Sequence, residues 1–120
     1  MKLSIWPLTL IIYTSWSLKD WDWGDCWGPV IFIRPEHRDD LGIEAHELTH
    51  ASMWWEFLGI GYLVLYYLHK RSRFAFEAAA YRAQLACLPS PEEKRSVYAQ
   101  ILVDRYNLGI TFDEALQALT

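Results

Sequence analysis

The chain is poor in the features that would quickly assign it to a class. Among its 120 residues there are only two cysteines, Cys26 and Cys87, and they have no CxxC spacing. A thiolate metal site needs paired cysteines, so that class is excluded. The two read as buried free thiols rather than a disulfide. Basic residues are outnumbered, 11 Lys and Arg against 15 Asp and Glu, giving a net charge of −4. That balance does not suit a nucleic-acid binder. The longest apolar run is FLGIGYLVLYYL, the 12 residues from Phe57 to Leu68. A bilayer-spanning helix needs about 20. No internal repeat or low-complexity linker breaks the chain, so residues 1–120 read as one domain.

The first residues, MKLSIWPLTLIIYTSWS, mimic a secretory signal with one lysine and an apolar stretch. No small-x-small cleavage site follows. Pro7, Thr9, Ile11, Ile12 and Thr14 favour an extended strand instead. A cytoplasmic protein is therefore the expectation. The basic stretch HKRSR, 69–73, directly follows the apolar run. It keeps contact with a membrane surface as a secondary expectation.

Tryptophan is what the chain has in excess. All seven lie between Trp6 and Trp55, and four fall within 16–27. They suit either a thickened small core or the walls of a cleft. Trp54, Trp55 and the tryptophans of 21–27 are the cleft candidates.

The coarse order is strands, then helices, which is the α+β class. Residues 7–16 read as a strand and 17–28 as an irregular loop. PVIFIRP, 29–35, reads as a second strand. Its bounding prolines suggest a sheet edge, where VIFIR could pair with an extended peptide. Asp39 or Asp40 caps a helix to about residue 53. Further helices are expected over 58–70 and 73–87. Ser90-Pro91-Glu92-Glu93 reads as a capping box opening a helix that stops near Asn107 to Gly109. Thr111-Phe112-Asp113-Glu114 is a second capping box, starting a short last helix.

The chemistry lies in EAHELTHASMWW, Glu44 to Trp55. On a helix, residues four apart share a face, so His46 and His50 can aim both imidazoles at one point. Glu47 is turned off that axis and can take a proton from water held there. A catalytic zinc wants a third protein ligand. No HExxHxxGxxH extension follows, since Glu56 stands where its third histidine would be. The downstream candidates are Glu56, His69, Glu77 and the acidic residues of the C-terminal helices. Glu77 has the best context: six alanines between Ala75 and Ala86 allow a second helix to come close to the first. The competing reading pairs Glu77 with Arg73 or Arg82 on a solvated helix. Tyr81, four residues on, can donate to a ligand or to an oxyanion.

His46-Glu47-x-x-His50 with Glu77 and Tyr81 resembles the small gluzincin metallopeptidases, HExxH plus a downstream glutamate. FIRPEHRDDLGIEAHELTHASMWW followed by RFAFEAAAYRAQ is similar to compact peptidases of phages and prophages, over roughly 31–88. The resemblance implies a zincin-like fold: a small sheet whose edge strand borders the cleft, an HExxH helix, a glutamate helix and C-terminal helices. It implies one Zn²⁺ held by His46, His50 and Glu77, with Glu47 as general base and Tyr81, or else Arg82, at the oxyanion. It implies a peptide or protein substrate, and the host cytoplasm if the chain is phage-encoded. Many gluzincins carry an aspartate where Tyr81 stands, so the support of the ligand histidines must differ. The rival from another class is an interaction module stapled by a structural zinc, binding through its tryptophans or a membrane surface.

Overall fold

A computed structural model of the chain describes residues 1–16, 18, 19 and 22–120. Trp21, one of the cleft candidates, lies outside the described residues. The architecture is α+β: a mixed sheet of β1 (Lys2–Ser4), β2 (Thr9–Tyr13), β3 (Gly24–Trp27) and β4 (Val30–Ile33), then five α-helices. These are α1 (Leu41–Glu56), α2 (Ile60–Leu68), α3 (Lys70–Leu85), α4 (Pro91–Arg105) and α5 (Phe112–Ala118).

The sheet order is β1-β2-β4-β3. β2 and β4 run parallel, with Ile11 opposite Ile31, while β1 and β3 pair antiparallel on either side. This corrects two expectations. β4 is central rather than an edge, because Pro29 and Pro35 flank its paired residues 30–33 instead of sitting among them. Proline removes a donor only at its own position, and the Pro29 carbonyl still accepts from the Leu10 amide at 2.8 Å. The expected loop over 17–28 contains the real edge strand, β3. Gly28, at φ +61°, turns it into β4.

Two cores hold the layers. Ile11, Ile31 and Ile33 bury one face of the sheet against Ile43 and Ala51 of α1. Ala78, Tyr81 and Leu85 of α3 pack with Ala99 and Leu102 of α4 and Ala115 of α5. Phe32 faces the opposite side of the sheet, under the rings of Trp16 and Trp27.

Asp40, rather than Asp39, caps α1, accepting from the amides of Gly42 and Ile43. The Thr111–Glu114 capping box closes in both directions. The box expected at Ser90 does not form: no side-chain cap bond is made there, and the Glu93 amide turns to the Ser90 carbonyl instead. No helix among the described residues is long and apolar enough to cross a membrane. The cysteines are free, as expected, but Cys87 is exposed rather than buried.

Candidate metal centre

His46 and His50 stand one turn apart on the buried face of α1. α3 runs back across that face. Gly42 permits the approach at one end, where a Cβ would lie 3.2 Å from Gln84 Cγ. Ala80, fully buried, leaves the room that a larger residue would fill. Glu77, 2% exposed, is thereby brought to the histidines. Its Oε1 lies 3.0 Å from His50 Nε2 and 3.6 Å from His46 Nε2. The three residues form the one group of metal-competent donors among the described residues, all within 4.8 Å of one another.

Each of the three has its own outer partner. His46 Nδ1 lies 3.0 Å from Gln84 Oε1. An amide oxygen only accepts, so Nδ1 carries a proton, and Nε2 offers its lone pair to a metal once it releases its own proton. His50 Nδ1 lies 3.0 Å from the Tyr62 hydroxyl. The Tyr66 hydroxyl donates to Glu77 Oε2, leaving Oε1 for the centre. Burial, then the Glu77 charge, holds both phenols far above the usual tyrosine range, so both stay protonated: Tyr66 donates to Glu77, and the Tyr62 oxygen can accept from His50 Nδ1. Outer contacts of this kind fix the tautomer and aim of metal ligands.

The donor set fits a cation. No Lys or Arg of the described residues pairs with the buried Glu77 carboxylate. Burial alone would raise its pKa, but the two facing imidazoles overcome this and hold it well below the ordinary value. Tetrahedral Zn²⁺ with bonds of about 2.0–2.1 Å separates its ligand atoms by about 3.3 Å, and the observed 3.0 and 3.6 Å bracket that spacing. His46, His50 and Glu77 can therefore hold a metal ion.

Glu47 is buried beside the group, turned toward β3, where a Cβ on Gly24 would lie 3.3 Å from its Cγ. Burial, only partly offset by His46, raises its carboxyl to about 8. It is absent from the metal-competent donors. Tyr81 sets its ring edge-on to His46, centroids 4.4 Å apart, and its hydroxyl lies 2.8 Å from that of Tyr106. Glu56 is exposed at the end of α1, and His69 caps α3 by accepting from the Ser72 amide. Arg73 and Arg82 donate to carbonyls of Tyr66 and Ala118 rather than to Glu77.

Tyr62, Tyr66 and Gln84 escaped the sequence reading. The signal was present as spacing: the tyrosines lie four apart on α2, and Gln84 follows Glu77 by two helical turns. The ring contacts and hydrogen bonds of the described tryptophans are made with other residues than His46, His50 and Glu77. Trp54 packs over Gly28 and Gly59, Trp55 donates to the Leu8 carbonyl, and Trp23 stacks on His37.

Compared with models of known families, with curated proteins and with solved structures, the chain has no match.

Proposed function

We propose that the protein is a zinc-dependent peptidase with a zincin-like, gluzincin-type site. One observation carries this reading: a buried His-His-Glu donor set with an unligated, buried carboxylate, Glu47, beside it on the same helix. His46, His50 and Glu77 would hold Zn²⁺, which supplies Lewis acidity toward a scissile carbonyl and lowers the pKa of water. Glu47 is the general base. Burial keeps it protonated near neutral pH in the metal-free protein; the charge of a bound cation would draw its pKa down, so that it takes the proton of water and returns it to the leaving amine. Among the described residues β3 pairs only with β4, and its other side would take an extended peptide by strand addition. Gln84, Tyr62 and Tyr66 keep the three ligand atoms aimed inward.

Three donors rather than four among the described residues favour an open site over a structural staple, whose zinc is closed by four ligands. The test is a mixed unstructured peptide library incubated with the zinc-loaded protein and read by mass spectrometry. Wild type should cleave, and Glu47→Gln should bind zinc normally and lose nearly all hydrolysis. Glu77→Ala should lose zinc, whereas Glu56→Ala and His69→Ala should keep it. Equal cleavage by wild type and Glu47→Gln would exclude Glu47 as the base. Wild-type protein that stays metal-free after zinc supplementation would overturn the proposal.

A further inference from the structure

Helix α2 has two faces with different surroundings. Tyr62 and Tyr66 point inward to His50 and Glu77. The other face carries Ile60, Leu63, Val64, Tyr67 and Leu68, all exposed, with Ile60 at 77% and Leu68 at 80%. Leu58, at the corner that leads into α2, is 88% exposed. Apolar side chains are also exposed in the β1–β2 turn. The Trp55 indole donates to the Leu8 carbonyl at 2.9 Å, tying the β1–β2 turn to the end of α1. In that turn Ile5 and Trp6 are exposed at 86% and 77%. Single exposed apolar residues are ordinary, but a contiguous set marks an interaction surface.

Charge indicates what the surface meets. No charged residue occurs from Phe57 to Leu68, and Lys70 and Arg71 follow at once. Both are exposed, and neither has an acidic partner among the described residues. Two adjacent, exposed positive charges therefore stand where the apolar face ends. The Tyr67 hydroxyl is the only side-chain polar group on that face, so it offers little for the directional recognition a protein partner would require. We propose that α2 docks on an anionic lipid bilayer. Apolar side chains would enter the interface, and Lys70 and Arg71 would sit among the lipid phosphates. A nine-residue helix cannot span, so α2 lies in the plane of the interface. This inference does not rest on the peptidase reading. Because Tyr62 and Tyr66 line the inner face of the same helix, one short element would join the membrane to the metal group.

Flotation of the full chain with vesicles tests this, using phosphatidylcholine alone and phosphatidylcholine with phosphatidylserine. The protein should rise with the anionic vesicles, less so as salt is raised. Val64→Asp with Leu68→Asp should abolish flotation while the circular dichroism spectrum and melting curve stay unchanged, as both positions are exposed. Lys70→Gln with Arg71→Gln leaves the apolar face intact and should weaken partitioning about thirtyfold, from about fivefold per charge. Absence of wild type from the anionic vesicles would overturn the proposal, as would unchanged flotation of both variants. A dimer in solution that Val64→Asp with Leu68→Asp dissociates, without vesicle binding by wild type, would assign the face to a second copy instead.

Discussion

The Nδ1 atom of His50 and the hydroxyl of Tyr62 stand 3.0 Å apart, joining the helix that carries the histidine motif to the helix that follows it. A matching contact joins His46 to Gln84 on α3. The ligand imidazoles are therefore held from two different elements, and neither outer partner is an aspartate. Removing either contact should loosen the aim of one ring without removing a ligand. Tyr62→Phe and Gln84→Ala should each weaken zinc binding by about 10- to 100-fold. Competition against a chelator of known affinity measures this. Wild-type affinity in both variants would show that the contacts do not orient the ligands.

Tyr81 has two possible duties that one substitution separates. Its ring packs against His46 and its hydroxyl meets Tyr106. As an oxyanion donor, Tyr81→Phe should cut turnover by about 10²-fold with zinc retained. As a support for His46, the phenylalanine ring still packs, so both zinc content and turnover should stay near wild type. Metal analysis and turnover on the same sample decide between them.

The parts of this site that the sequence discloses are those set by one helix. His46, Glu47 and His50 share α1, and their relation follows from 3.6 residues per turn. Glu77 was legible because alanines flank it, and alanines on a helix announce close packing. Tyr62 and Tyr66 were not, since an apolar stretch such as 57–68 shows a helix but not which tyrosines it turns inward. That choice depends on the corner at Leu58 and Gly59, both at positive φ, which sets the direction of α2. β3 stayed hidden for a related reason. Gly24-Asp25-Cys26-Trp27 has little strand character of its own and becomes a strand only by pairing with β4.

Gly28 is fixed by two constraints. Its φ is +61°, and a Cβ would lie 2.9 Å from the Trp54 indole. Alanine there would meet backbone strain of about 1–2 kcal/mol and would also displace a large ring. Gly28→Ala should therefore destabilise the protein by about 2–3 kcal/mol, read from urea denaturation. Gly109 has a similar φ of +66° but open space around it. Gly109→Ala should carry only the backbone cost, about 1–2 kcal/mol. Equal losses at the two sites would mean that Trp54 yields freely.

The Glu47 carboxyl gives a test that needs no substrate. Burial raises it from 4.5 to about 8 in the metal-free protein. Below pH 4.5 it is protonated in both the folded and the unfolded chain, so it adds no pH dependence there. Between 4.5 and about 8 the unfolded chain releases this proton while the folded chain keeps it. The unfolded state then binds fewer protons, and stability must fall as pH rises through this window. Above it both forms are ionised, and the loss is complete. Other groups titrate too, notably Glu77, whose shift runs the opposite way. Comparison with Glu47→Gln removes what the two proteins share. Glutamine has no proton to lose, so the metal-free variant should gain on wild type progressively from pH 4.5 to about 8, by a few kcal/mol at the top. Chemical denaturation in a chelating buffer, at pH 4.5, 6 and 8, measures the difference. A difference that does not grow with pH would mean that Glu47 is ionised in the folded protein throughout, and its assignment as a carboxyl kept protonated by burial would fall.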